Sequence, residues 1–107
     1  LATPEKSTGR RLFDGMLAGG AQAAGRNAGR IEVGAWADIL ALDTTSEHLW
    51  GRTGDTALDA WIFAGDDRLV HDVWSAGRHM VQNGEHVGRD AIVAAYKQTI
   101  DALKDAL

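Results

Sequence analysis

The chain has 107 residues, 45% of them hydrophobic and 24% charged, with a formal net charge of −4 and no cysteine. This composition is that of an ordinary soluble globular chain; it excludes a disulfide framework, a thiolate metal site and a cysteine nucleophile, and no apolar run approaches the roughly 20 residues of a membrane span. Lysine and arginine are scattered from Lys6 to Lys104 and form no stripe that could track a phosphate backbone, so we expect no nucleic-acid partner, no membrane and a cytoplasmic setting.

Leu1 to Gly9 has neither the basic start nor the apolar run of a signal peptide, and the first residue is not Met, which predicts a cut end. Ser7 and Thr8 offer side-chain oxygens for a cap. Phe13, Met16, Leu17, Gly20, Ala21 and Ala24 then follow at spacings of three and four, which predicts an amphipathic helix over Thr8 to Ala24 stopped at Gly25. Its stripe narrows to Gly19, Gly20 and Ala21; this costs helix propensity but removes bulk, as in a helix packed hard against a larger body.

From Arg30 the period changes. Ile31 and Val33 precede Gly34, and Ala37, Ile39 and Ala41 interleave with Leu40 and Leu42 up to Asp43, reading as a strand apolar on both faces that must be covered on both. Thr44 to Gly54 reads as a loop that carries Leu49 and Trp50. Asp55 or Thr56 is expected to cap a short helix whose Leu58, Trp61 and Ile62 share a face, ending near Gly65. Leu69 to Ser75, Arg78 to Gln82 and Glu85 to Val87 read as three short strands turning at Ala76-Gly77 and Asn83-Gly84, the second being the dipeptide that best tolerates a tight hairpin. A last helix starts near Arg89, with Asp90 in its first turn and Ile92, Tyr96, Ile100, Leu103 and Leu107 at helical spacing. Four tryptophans and a two-faced strand need more cover than four or five short strands supply, in a chain whose size buries only on the order of 65% of its unfolded surface. The inventory implies missing partners.

Chemistry is hard to find. His48, His71, His79 and His86 form neither a His-x-His nor a His-Glu-x-x-His pair. His71 and His79 can face each other across the hairpin with Asp72 beside them, an arrangement that also suits ordinary strand histidines. Ser7, Ser46 and Ser75 lack a Gly-x-Ser-x-Gly elbow, and no Gly-Lys-Ser or Gly-Lys-Thr follows Gly15, Gly19 and Gly20. The acids at Asp66-Asp67 and Glu85 adjoin turns, where solvation is the ordinary fate. Asp38 lies within the apolar stretch, where an ionised carboxylate is expensive unless bonded, and is expected to accept from backbone amides near the Gly34 turn. Arg10, Arg30 and Arg78 sit on turns or helix starts with no evident pocket. We therefore assign no catalytic, substrate-binding or metal residue in this chain; on residues alone it is an α+β fragment.

Gly29-Arg30-Ile31-Glu32-Val33-Gly34-Ala35-Trp36-Ala37-Asp38-Ile39-Leu40-Ala41-Leu42-Asp43 resembles the Gly-x-Ile-x-x-Gly-x-x-Ala-Asp-hydrophobic-Asp signature of the amidohydrolase superfamily. The preceding helix with Gly19-Gly20-Ala21, and the later Val73-Trp74-Ser75-Ala76-Gly77-Arg78 with Asn83-Gly84, fit the same order. Within that superfamily the chain resembles the N-formimino-L-glutamate deiminases, through Gly9-Arg10-Arg11-Leu12-Phe13, Ala18 to Ala23, Asp67 to Val73 and above all Gly54 to Gly65, where Trp61-Ile62-Phe63-Ala64-Gly65 discriminates best.

The resemblance implies a (β/α)8 barrel in which histidines and an aspartate bind one divalent metal, usually zinc; the metal-bound water attacks the formimino carbon and ammonia leaves. None of those ligands matches a position here. Residues 1–28 would be the last barrel helix region, residues 29–88 the C-terminal part of a composite β-sandwich with a short helix near 55–64, and residues 89–107 a terminal helix. The implied partners are a small-molecule substrate, the upstream barrel and N-terminal strands of the same protein, and a second copy in a homodimer. Other readings are a deaminase or hydrolase acting on a purine, a triazine or an imidazolone, and a β-rich interaction module with no activity.

Overall fold

A computed structural model describes all residues 1–107. Helix α1 spans Thr8–Ala24. Ser7 caps it by accepting from the Arg10 amide, and Gly25, at φ 63°, closes it with its own amide donating to Ala21 and Gln22 carbonyls. Both ends fall where the capping residues predict them.

The stretch after α1 departs from the expected long strand. Gly29 and Gly34 adopt φ of 87° and 94°, and the intervening residues close into a compact loop. The Trp36 amide donates to the Asn27 carbonyl at 2.9 Å, and the Asn27 side chain donates to the Gly34 carbonyl at 3.0 Å. Backbone groups spent on that loop are not free for a ladder, so strand β1 covers only Ile39–Leu42, and Ile31 and Val33 project into solvent. The strand is also covered less than its pattern requires. It pairs with one neighbour only and leaves its other edge open.

Helix α2 spans Gly54–Ala64 with Thr53 at its N-cap, two or three residues before the expected Asp55 or Thr56; Thr56 instead serves as the third helical residue, its hydroxyl oxygen accepting from the Thr53 amide at 3.2 Å. A 3₁₀ turn at Asp67–Leu69 leads into β2 (Val70–Ser75), β3 (Arg78–Gln82) and β4 (Glu85–His86). The four strands form an antiparallel meander in the order β1-β2-β3-β4, with Ile39 opposite Trp74, Leu40 opposite Val73 and Val81 opposite His86. The two tight turns sit where expected. Ala76 and Gly77 have φ of 51° and 80°, and Asn83 and Gly84 have 52° and 78°, the left-handed pair that matches the twist of a two-residue hairpin. Helix α3 spans Arg89–Ala106.

The core is small and lies partly where the sequence pattern did not point. Leu49, in the segment read as loop, is the most deeply buried side chain at 1% exposure; it packs with Ala60 and Leu69, and Leu42 and Trp61 lean against them. Only four of 107 residues are buried. The accessible surface is 7909 Å² where a folded monomer of 11.4 kDa exposes about 5,800 Å². The radius of gyration is 17.6 Å against about 13 Å for a compact domain of this length. An excess of roughly 2,100 Å² is itself the size of a substantial protein interface.

Candidate functional site

Three polar clusters order the chain. The first is central to the sheet. Asp72, on β2, receives His71 on one carboxylate oxygen and His79 Nε2, from β3, on the other at 2.8 Å. The imidazole of His79 lies flat on Trp74, centroids 4.4 Å apart and 8° from parallel. The Asp72 carboxylate holds the His71 imidazolium, raising its pKa above the ordinary 6.5, and the two histidines in turn lower the pKa of Asp72. The hairpin thus brings His71, Asp72 and His79 together. Each imidazole, however, spends a ring nitrogen on a different oxygen of one carboxylate, and no three His, Asp or Glu side chains of the chain converge as metal ligands. The five principal clefts are lined by other residues.

The second cluster ties the start of β1 to the β2-β3 turn. Asp38 takes a forked contact from Arg26, Nε to Oδ2 at 2.6 Å and Nη2 to Oδ1 at 3.1 Å, and accepts from the Ala76 amide at 2.8 Å. The amide it holds belongs to this turn across the sheet, and not to the Gly34 turn. With the guanidinium as the larger cause and the amide as the second, its carboxyl is lowered to about 2. Arg26 also lies 4.5 Å above the Trp36 ring. An open groove of ≈ 660 Å³ runs alongside, lined among others by Trp36, Leu40, Trp74 and Arg78.

The third cluster joins the start of α1 to the start of α2. Asp55 accepts from the Ser7 amide at 2.9 Å and from Arg10 Nε at 2.8 Å. Asp59 accepts from the Ser7 hydroxyl at 2.9 Å and from the Gly9 amide at 2.8 Å. Gly9 is buried against this contact, and a Cβ there would stand 2.2 Å from Asp59 Oδ1. Phe13 and Trp61 continue the seam edge to face, with ring centroids 5.8 Å apart.

The remaining candidate residues are dispersed. His48 lies beside Glu47 at 4.0 Å and His86 accepts from the Gly88 amide. Ser46 accepts from the His48 amide, Ser75 ends β2, and Asp66 caps the 3₁₀ turn while pairing with Arg68. Asp67 and Glu85 are exposed, Arg30 pairs with Glu32, and a Cβ added at Gly15, Gly19 or Gly20 would meet nothing within 4 Å.

No family model matches the chain. A formimidoylglutamate deiminase of Pseudomonas aeruginosa is 45% identical over 97 residues, which is 91% of this chain and 21% of that protein. The chain is a relative of formimidoylglutamate deiminase. The crystal structure of an amidohydrolase from Brucella melitensis is 41% identical, with a TM-score of 0.77, over 96% of this chain and 22% of that one. The chain therefore spans about a fifth of the length of both relatives.

Set beside the deiminase resemblance, the third cluster explains the stretches that carry it. Gly9-Arg10 and Gly54 to Asp59, matched as separate motifs, interlock across the α1-α2 seam. Asp59 holds a structural role that the sequence reading did not assign, and Asp55, expected as a possible cap of α2, instead bonds Ser7 and Arg10. The available signal was their i, i+4 spacing at a helix start, which puts both carboxylates on one face; their amide and arginine partners lie 45 to 52 residues away and leave no local trace.

Proposed function

We propose that this chain is the C-terminal part of a metal-dependent amidohydrolase that hydrolyses N-formimino-L-glutamate to N-formyl-L-glutamate and ammonia. The observation that carries the reading is the 45% identity to a formimidoylglutamate deiminase across 91% of the chain. The surface in excess of a compact monomer supports the fragment half of it, together with large hydrophobic side chains left exposed, such as Ile31, Val33, Trp50 and Phe63, which a larger body would cover.

In this reading residues 1–28 bring the last helix of the barrel, residues 29–88 complete a β-sandwich with strands from the N-terminus, and the open edge of β1 receives one of those strands. The reaction adds water across the formimino C=N carbon; the tetrahedral adduct collapses to the formyl amide and expels ammonia. A divalent metal, zinc in our reading, is held by residues outside this chain, since its own side chains do not fit one: the His71, Asp72 and His79 contacts are internal to the cluster. What residues 1–107 contribute is positioning. The enzyme is read as a cytoplasmic homodimer; separately, no helix of the chain is long and apolar enough to cross a membrane.

The test assays the complete polypeptide side by side with formiminoglutamate, guanine, a chlorotriazine and imidazolonepropionate. Ammonia release from the first, abolished by a chelator and restored by metal, is the expected result. Preference for another of the four would overturn the substrate and spare the superfamily; inertness towards all would favour a binding role. Its mass in solution checks the dimer.

A further inference from the structure

Helix α3 is an arm. No residue in it is buried, and Ile92, Tyr96, Ile100, Leu103 and Leu107 are exposed along its length. At 100° per residue its surface divides sharply. From Ala91 onward every charged side chain, from Lys97 to Asp105, falls in one sector of roughly 120°, together with Gln98. The opposite sector, roughly 200° wide, holds the apolar stripe and beside it a flank of Ala91, Ala95, Thr99, Ala102 and Ala106. The one hydroxyl on that flank is already satisfied, since Thr99 Oγ1 donates to the Ala95 carbonyl at 3.0 Å. The whole flank can therefore lose water without orphaning a donor.

The width of the face decides what fits it. A symmetric pair of α3 helices from two copies would bury a narrow seam and leave the alanine flank bare, whereas a groove with a floor and one close wall covers both. The body able to supply such a groove is at hand on our reading that the chain belongs to a longer protein: both relatives are more than four times its length. The match to the Brucella melitensis amidohydrolase leaves only about four residues of this chain unpaired, so the arm is shared with a protein that has that larger body. We propose that α3 seats in a groove on the remainder of the same polypeptide, with the stripe from Ile92 to Leu107 on the floor and the alanine flank against a wall.

Hydrogen exchange and cross-linking of the complete polypeptide test this. The α3 amides should exchange at least about a hundredfold more slowly than in a free peptide of residues 89–107. With light and ¹⁵N-labelled copies mixed, a short amine-reactive cross-linker on Lys97 and Lys104 should give links within one copy only. Tyr96→Asp and Ile100→Asp should abolish the protection and Gln98→Asp, on the charged sector, should keep it. Where an aspartate variant does not fold, Ala95→Leu serves: it leaves helix propensity nearly unchanged and adds bulk to the flank, so protection should fall. Exchange at the peptide rate would overturn the proposal, mixed-isotope links would transfer the helix to a second copy, and full protection in Ala95→Leu would remove the wall. Failure of the deiminase assay leaves these readouts untouched, so the two readings fall separately.

Discussion

Asp59→Ala is the most direct probe of the α1-α2 seam. Asp59 Oδ1 accepts at 2.9 Å from the Ser7 hydroxyl and at 2.8 Å from the Gly9 amide, and Gly9 is buried. Truncation leaves the Ser7 hydroxyl free to turn to solvent, but the Gly9 amide belongs to the first helical turn and has no carbonyl of its own to bond. Leaving a buried donor unpaired costs about 1 to 3 kcal/mol. If α1 frays locally, that cost appears as roughly 5- to 150-fold faster amide exchange over the first turn of α1 in the complete polypeptide, with exchange in β2 and β3 unchanged. Asp59→Asn keeps an oxygen acceptor and should lose less. Gly9→Ala attacks the same contact from the other side: its Cβ would stand 2.2 Å from Asp59 Oδ1 and 3.1 Å from the Asp59 Cα, so removing the carboxylate relieves the worst clash and the double variant should be less damaged than the sum of the two singles. Unchanged exchange in Asp59→Ala, or strictly additive behaviour of the pair, would refute the seam as described. Equal damage from Asn and Ala would refute hydrogen bonding as its source and leave charge at the helix start.

The Asp38 carboxyl lies at about 2 against an ordinary 3.8, so its folded-state pKa is depressed; the contribution to stability is full above about pH 4 and disappears as pH falls to 2. Asp38→Asn should therefore be less stable than wild type near neutrality, with the gap between acid-unfolding curves closing across that window. His71 has a raised pKa, so its contribution has the opposite sign, fully present below pH 6.5 and lost as pH rises through the folded-state value; an NMR titration of the His71 ring should move back towards 6.5 in Asp72→Asn, and an unmoved midpoint would remove Asp72 as the cause. Ala76 holds φ 51°, so Ala76→Gly should raise stability by up to about 1 kcal/mol while Gly77→Ala at φ 80° should lower it by about 1 to 2 kcal/mol, both read from denaturant midpoints.

What could be read in advance divides by range. Ser7, Gly25, Ala76-Gly77 and Asn83-Gly84 punctuate the chain through their own backbone chemistry, and the elements they bound fell where they predict. The misreadings came from contacts beyond a local window. Hydrophobic alternation around Ile31 and Val33 looked like strand, but two glycines and Asn27 close that segment into a loop. Leu49 looked like loop because its neighbours are polar, and is core because Ala60 and Leu69 arrive from elsewhere. Asp38 was recognised as a bonded carboxylate, yet its partners Arg26 and Ala76 lie 12 and 38 residues away. The His71-Asp72-His79 grouping was visible because a hairpin is local enough to pair its own two strands.

These particulars bear on why the chain resembles one family so specifically. The stretch that discriminates best, Gly54 to Gly65, puts Asp55 and Asp59 on the start of α1 and Trp61 against Phe13. Its pattern is one of mutual fit between two helices: a glycine at 9 because nothing larger clears Asp59, an arginine at 10 because a carboxylate stands 2.8 Å from its Nε, an aromatic at 61 because another lies on its edge. Such requirements couple positions 45 to 52 residues apart, so a replacement at one end unseats the other. If α1 is the last helix of a barrel, the seam fixes α2 and the small Leu49 core to that barrel, and through Leu69 the start of β2. On the proposed function, a motif of this kind would serve catalysis by holding a frame, and the measurement that separates frame from chemistry is the one applied to Asp59: loss of protection at the seam, with turnover of the molecules that remain folded unchanged.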